Sequence, residues 1–211
     1  MHVTRRILGA GTVALLFAVS AAAAQAQQMA PPGSPPPVVR VRGTIEKVDG
    51  RMMTIKMQNG TSLMVKVADN GPVRRIVKSS LSDIRAGSYL AITAMPQPDG
   101  SQKAVAILVF PEGPKPPDGF SEWDFKPGST MTNATVDTTA AAVDGQKLTV
   151  KYKDGEKTII VPTDAEITTF KPSSMAEVKA GDKIMIFAAK RQPDGNYEAP
   201  NIAVGDYGVW R

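Results

Sequence analysis

The sequence predicts an all-β protein made of two small five-stranded barrels in tandem, because one pattern of strands and turns occurs twice in its 211 residues. The tripeptide Val-Asp-Gly at residues 48–50 returns at residues 143–145, a displacement of 95 positions (145 − 50). The tetrapeptide Gln-Pro-Asp-Gly at residues 97–100 returns at residues 192–195 with the same displacement (195 − 100). Self-similarity at a fixed period is the signature of a repeat architecture.

Each repeat is small. Residues 38–110 form the first repeat, and residues 131–211 form the second repeat together with a C-terminal tail. A domain of about 60 to 70 residues buries only about 60% of the surface that its unfolded chain exposes. We therefore expect the two barrels to pack against each other for additional burial.

Three runs of alternating apolar and polar residues open the first repeat, at residues 39–48, 53–57 and 63–67. The dipeptides Asp-Gly at 49–50 and Asn-Gly at 59–60 separate them, and glycine readily takes the positive φ that a tight hairpin turn requires. Alternation with a period of two predicts antiparallel strands with one buried face.

The pattern changes after the third strand. Ser80 has the side chain of an N-cap, Asp83 occupies the third position after it and Gly87 ends the segment, which predicts a short helix. Two further strands are expected at residues 89–95 and 103–110. The resulting order, β-β-β-α-β-β, is that of an OB-type five-stranded barrel, with a small β-sandwich as the alternative.

The second repeat follows the same plan, so the predicted fold is two tandem OB-like barrels with one short helix each. The helix is expected at residues 175–180. The five strands are expected at residues 136–143, 147–152, 157–161, 183–189 and 198–204.

Residues 1–26 have the composition of a secretory signal peptide. A pair of arginines is followed by an apolar run at residues 7–19 and by the small-x-small cleavage pattern Ala-Gln-Ala at residues 24–26. The run is short for a membrane span, and an uncleaved anchor is the alternative interpretation. Residues 27–37 then form a proline-rich linker. We expect a periplasmic or secreted protein that is exported by the general secretory route.

Residues 111–130 form a connector between the repeats, with five prolines and the aromatic residues Phe120, Trp123 and Phe125. Aromatic side chains at this density form an apolar patch when exposed, and soluble proteins use such patches as contact surfaces. We expect the connector to lie across both barrels, as an interdomain contact or as a surface for a partner. Trp210 in the tail is expected to pack at the same place.

The repeat plan also resembles a known family. Its marks are G-x-I/V near the start of the repeat, the V-D-G and x-N/D-G turns, a Ser-led turn that ends in Ala-Gly, and P-D-G before the last strand. Over about residues 38–205 these motifs resemble a family of exported bacterial domains of unknown function with an OB-like barrel. The segment Trp-Asp-Phe-Lys-Pro-Gly-Ser-Thr-Met-Thr-Asn-Ala at residues 123–134 is similar to the connector of tandem members from soil proteobacteria. The resemblance implies a non-catalytic role in the cell envelope.

The composition excludes several kinds of chemistry. The chain has no cysteine, and its one histidine, His2, lies within the expected signal peptide. The mature chain therefore contains no Ser-His-Asp or Cys-His arrangement and no histidine- or cysteine-ligated metal. Without the two arginines of the signal its net charge is +3 (23 − 20), too small an excess to indicate a nucleic acid partner. We expect neither enzymatic activity nor a cofactor.

The function expected from these observations is that of a non-catalytic periplasmic protein that binds or scaffolds an envelope protein or a small ligand. The alternative is a copper- or metal-handling accessory protein, since thioethers select Cu(I). Its candidate ligands lie on two adjacent strands of the first repeat: Met52, Met53, Met57 and Met64. Flexible filling of the core is the competing explanation for these methionines.

The signal peptide can be tested directly. N-terminal sequencing of the protein recovered from the envelope or the medium should begin near Gln27, because cleavage after a small-x-small pattern removes residues 1–26. Recovery of the chain with Met1 intact in the membrane fraction would contradict export with cleavage.

Overall fold

The computed structural model describes residues 38–142 and 145–206, which belong to one compact unit. The expected signal peptide, the proline-rich linker and Trp210 lie outside the described residues. Within the described part of the chain, no helix is long and apolar enough to cross a membrane.

The described residues form fourteen β-strands and two single turns of 3-10 helix, which confirms the all-β prediction. In the first half these are β1 (Val38–Asp49), β2 (Met52–Met57), β3 (Ser62–Val67), β4 (Val73–Lys78), a turn at Leu81–Asp83, β5 (Tyr89–Pro96) and β6 (Gln102–Phe110). The connector contributes β7 (Gly119–Glu122). In the second half these are β8 (Thr130–Ala142), β9 (Gly145–Tyr152), β10 (Gly155–Pro162), β11 (Glu166–Ser173), a turn at Met175–Glu177, β12 (Lys183–Arg191), β13 (Tyr197–Ala199) and β14 (Ile202–Val204).

Five strands close into a barrel, which we call the first barrel. Strands β1, β2 and β3 form two antiparallel hairpin pairs. Strand β3 then runs parallel to β13, β13 pairs with β12, and β12 returns to β1. Alternate residues point inward and form a core that includes Val41, Ile45, Ile55, Val65 and Ile186. Each of these side chains is at most 1% exposed, so the barrel interior is filled by packed side chains.

A second ring of five paired strands has the same order. Strands β8, β9 and β10 pair in sequence, β10 runs parallel to β6, β6 pairs with β5, and β5 returns to β8. We call it the second ring. Its core includes Leu90, Ile92, Leu148, Val150 and Ile159, all fully buried.

The prediction that residues 38–110 and residues 131–211 each close a barrel of their own is wrong in its strand pairing. The first barrel takes β1–β3 from the first half and β12–β13 from the second, and the second ring takes β8–β10 from the second half and β5–β6 from the first. The physical reason is β4 and its counterpart β11, two strands that the sequence did not predict. Each leads the chain out of one ring, so the strands that follow complete the other ring.

Strands β4 and β11 meet as copies of one another. They pair antiparallel with Ile76 opposite Phe170, and these two positions are related by the repeat displacement of 94 (170 − 76). The parallel strand pairs follow the same symmetry. Val65 pairs with Tyr197 in the first barrel, and their repeat equivalents, Ile159 and Gln102, pair in the second ring. Self-pairing of equivalent residues is the property of an interface on a two-fold axis. The chain therefore has an internal pseudo-two-fold axis between β4 and β11.

The first strands of the two halves are displaced by a different amount. Val41 pairs with Ile186 of β12, and Thr132 holds the corresponding place opposite Ile92 of β5. Their displacement is 91 (132 − 41), because the β8–β9 hairpin is four residues longer than the β1–β2 hairpin.

The helix predicted in each repeat is only one turn of 3-10 helix. Two serines that precede the first of these turns hold its acidic residue in place. Ser79 Oγ and Ser80 N donate hydrogen bonds of 2.8 and 3.0 Å to the Asp83 carboxylate, and these bonds lower the pKa of Asp83. Glu177 accepts from Ser173 in the second copy, and its pKa is lowered in the same way. The predicted short helices are therefore not confirmed, because each segment that follows the serines is a single 3-10 turn.

The exchange of strands predicts that the two halves stay together after the chain is cut. A protease site inserted at Gly113, an exposed residue of the connector, should yield a nicked protein that elutes with its full mass in size-exclusion chromatography. The reason is that, within the described residues, seven strand pairings join one half to the other. The uncut variant is the control. Two separate peaks of half mass under native conditions would contradict the exchange.

Candidate ligand-binding site

The two rings are joined by a strip of four strands in the order β14, β4, β11 and β6. One face of this strip, which we call the central face, carries a third cluster of buried apolar side chains. Its members come from both halves of the chain: Ile76, Ala106, Leu108, Phe170, Met185 and Ala203. Because Ile76 and Phe170 are directly paired, the pseudo-two-fold axis passes through this cluster.

The connector runs over the central face. Phe125 packs against the cluster, and β7 pairs with β8 of the second ring. Further along, the Tyr89 hydroxyl donates a 2.7 Å hydrogen bond to the Pro116 carbonyl oxygen. Burial, with a contribution from Asp118, raises the pKa of Tyr89. The hydroxyl therefore stays protonated at neutral pH and remains a donor to the connector.

Trp123 attaches the connector to the first barrel. The guanidinium groups of Arg40 and Arg42, both on β1, lie 4.4 and 5.3 Å from the centre of its ring. Arg42 also forms a bidentate ion pair with Asp124, with both N–O distances at 3.0 Å. The next turn is held by Ser129, whose hydroxyl donates to the Trp123 carbonyl oxygen at 2.8 Å. The connector thus contacts β1 of the first barrel and β8 of the second ring.

The other predicted aromatic residues have different environments. Phe120 is 39% exposed and stacks on Tyr152 with 6.4 Å between ring centres. The Lys157 ammonium lies 4.5 Å from the Phe120 ring. Phe125 is half-buried against the central cluster, and Trp210 lies outside the described residues. The structure therefore brings Trp123 and Phe125 to the central face and leaves Phe120 on the outside of the second ring.

A cavity of about 470 Å³ lies between the central face and the connector. Positions related by the pseudo-two-fold axis line it in pairs. The pairs are Arg40 with Met131, Arg74 with Thr168, Thr93 with Phe187, and Ala106 with Asn201. The connector adds further lining residues, which include Lys115, Ser121 and Trp123. The cavity therefore lies on the pseudo-two-fold axis, but its covering side has no symmetry.

The charges around the cavity are unequal. Arg40, Arg74 and Lys115 line it, and Glu166 is the acidic residue among its lining residues. Arg40 lies over Trp123, and the Arg74 guanidinium lies 5.7 Å from the centre of the Phe170 ring. Within the described residues, neither of these two guanidinium groups forms a hydrogen bond or ion pair with another side chain. Their N–H donors are therefore available to a ligand.

The four methionines of the copper alternative do not converge. Met53 is buried in the first barrel, and Met57 packs against the same core from the same side of β2. Met52 and Met64 lie on the other face of the β2–β3 hairpin, where Met64 is 47% exposed. The wall of the barrel therefore separates the two pairs of sulfur atoms.

Sequence reasoning missed the residues that define this cavity, above all Arg74 and Phe170. Both lie on strands that were not predicted, and an arginine on a strand is most simply interpreted as part of a solvated face. Within the described residues, no cluster of three or more His, Cys, Asp or Glu side chains is placed to hold a metal ion. No protein-family model, curated protein or solved structure matches the chain.

The contacts of Trp123 predict a measurable loss of stability when they are removed. Full truncation of a buried aromatic residue costs about 3–5 kcal/mol, and Trp123 is half-buried, so Trp123→Ala should lower the free energy of unfolding by about 1–2 kcal/mol. Chemical denaturation measures this change, and limited proteolysis should show faster cleavage within residues 111–130. Phe120→Ala is the matched control, because the more exposed Phe120 has less to lose. Equal stability of Trp123→Ala and the unmodified protein would show that the connector does not join the rings.

Proposed function

We propose that this protein is a non-catalytic binding protein of the bacterial envelope that holds a small ligand in the cavity between the central face and the connector. The observation that carries the proposal is the cavity itself. A volume of about 470 Å³ is within the range of about 300–1,000 Å³ for sites that enclose small molecules.

The composition of the cavity wall supports binding. Aromatic and aliphatic side chains form most of it, and these include Phe110, Trp123, Phe170 and Phe187. Polar and charged side chains make up the rest of the wall. In ligand sites apolar contact gives affinity and polar groups fix orientation. Phe187 is 40% exposed, so a ligand in the cavity would cover apolar surface that now faces solvent.

The position of the cavity also supports the proposal. Ligand sites occur preferentially where separate structural units meet. Here the first barrel, the second ring, the central face and the connector all contribute to one space. We infer that the two rings are OB-like units that have exchanged their last two strands, so that the cavity lies at the junction of two such units.

The envelope location in this proposal rests on the signal-like residues 1–26 and on the resemblance to exported bacterial domains. A scaffolding role for an envelope protein is the other form of the same proposal, and the exposed Phe120 with Tyr152 would be its contact surface. The copper alternative is not carried further, because its four thioethers lie on opposite faces of the β2–β3 hairpin.

A variant that fills the cavity tests the proposal. Ala91 lines the cavity and is half-buried, so Ala91→Phe should occupy part of its volume while keeping the strand pairing of β5. Native mass spectrometry of the unmodified protein, purified gently from its own envelope, should show a bound small molecule. The same measurement on Ala91→Phe should show that molecule lost or strongly reduced.

The matched control is Thr44→Phe, which places the same side chain at an exposed position of β1 away from the cavity. This variant should retain the bound molecule. Absence of any bound species from the unmodified protein, or equal occupancy in both variants, would contradict a small-ligand function of this cavity.

A further inference from the structure

We propose that the ligand of this cavity is a small organic anion with a flat apolar body, an inference that rests on the binding function proposed above. The anionic group would be held by Arg40 and Arg74, and the apolar body would lie against the aromatic wall. Lys115 of the connector would add a third positive charge.

The guanidinium groups of Arg40 and Arg74 have similar environments. Each guanidinium lies near an aromatic ring, Arg40 by Trp123 at 4.4 Å and Arg74 by Phe170 at 5.7 Å. Contact with a ring face holds the guanidinium group while leaving the N–H donors at its edges available. These donors match the two oxygen atoms of a carboxylate, or of a related oxyanion, in bidentate geometry.

The neighbour of Arg74 is an arginine whose side chain is paired with other groups of the fold. Arg75, on the opposite face of β4, donates to the Glu177 carbonyl oxygen at 2.8 Å and lies 3.6 Å from the Asp182 carboxylate. Arg42 is likewise paired with Asp124. By contrast, no described side chain supplies an anionic partner to Arg74, although it is half-buried and lines the cavity.

The fold does not require arginine at either place. The position related to Arg74 by the pseudo-two-fold axis is Thr168, and the position related to Arg40 is Met131. Both equivalents also line the cavity. Two uncharged residues therefore satisfy the same backbone environment, which leaves the positive charge to be explained by what enters the cavity.

Charge balance then selects the sign of the ligand. Arg40, Arg74 and Lys115 against Glu166 leave a formal excess of positive charge around a space with largely apolar walls. An anion relieves the repulsion between these groups, and a cation increases it. A cation would also compete with the two guanidinium groups for the faces of Trp123 and Phe170, which are the surfaces that attract cations.

Three matched probes test the proposal by isothermal titration calorimetry: 2-naphthoate, 2-naphthamide and 2-naphthylmethylammonium. They share one flat apolar body and differ in charge. Because charge-assisted hydrogen bonds are about twice as strong as neutral ones, 2-naphthoate should bind at least about tenfold more tightly than 2-naphthamide. Its affinity should fall with added salt, while that of the neutral amide should not.

Variants locate the anionic group. Arg40→Gln and Arg74→Gln should each reduce the affinity for 2-naphthoate toward that of 2-naphthamide and leave the amide unchanged. Lys56→Gln, at an exposed position on the outer face of β2, is the matched control and should bind all three probes as the unmodified protein does. If Arg74→Gln does not fold, Arg74→Lys keeps the charge without the bidentate geometry and should give an intermediate loss.

The outcomes separate this proposal from the binding function. Equal or tighter binding of the amide or the ammonium probe would overturn the anionic class while leaving a ligand-binding cavity. Unchanged 2-naphthoate affinity in both arginine variants would place the anion elsewhere and also overturn it. If none of the probes binds, the proposed ligand class is wrong, and the mass-spectrometry comparison of Ala91→Phe with Thr44→Phe decides the binding function by itself.

Discussion

The antiparallel pairing of β4 with β11 is the constraint on which the rest of the structure depends. Each strand leads out of one ring, and each meets its own repeat copy with Ile76 opposite Phe170. Once these two strands pair, the elements that follow them must complete the opposite ring. Stability is then shared: repeats of this size are marginal alone, and here each hydrophobic core is built from both halves. The molecule is therefore one cooperative unit with two interiors, rather than two domains on a linker.

The connector breaks the near two-fold symmetry of the structure. Two repeats related by a two-fold axis would leave an open central face between the rings, with the same residues on either side. Residues 111–129 join the two repeats and lie across that face, held by Trp123 and the Arg42–Asp124 ion pair on one side and by the β7–β8 pairing on the other. The open face becomes a partly covered cavity because the connector lies over it. The covered cavity and the contact between the connector and both rings are thus two consequences of the same segment.

The sequence predicted the positions of most strands, but it did not predict which strands pair with one another. Alternation and turn residues located most strands, since both are local properties of the chain. The same alternation is satisfied whichever ring a strand joins, so the exchange could not be read from it. The sequence did not predict strands β4 and β11, because they lie in the central strip and do not show strict alternation of buried and exposed residues. The aromatic density of the connector pointed to Trp123 and Phe125, whereas Arg74 carried no local signal that separates it from the paired Arg75.

Two similar halves within one chain can carry different residues at equivalent positions of the fold. In a dimer of identical chains, every residue on the axis-facing surface appears twice, so a cation on one side is met by the same cation on the other. In a single chain the two copies can differ, and at this cavity they do: Arg74 faces the cavity with Thr168 as its equivalent, and Arg40 with Met131. Identical arginines at all four places would repel one another in a small, largely apolar space. At these two pairs of positions the first copy carries a positive charge and the second copy does not, so the anionic group of the proposed ligand would lie beside Arg40 and Arg74.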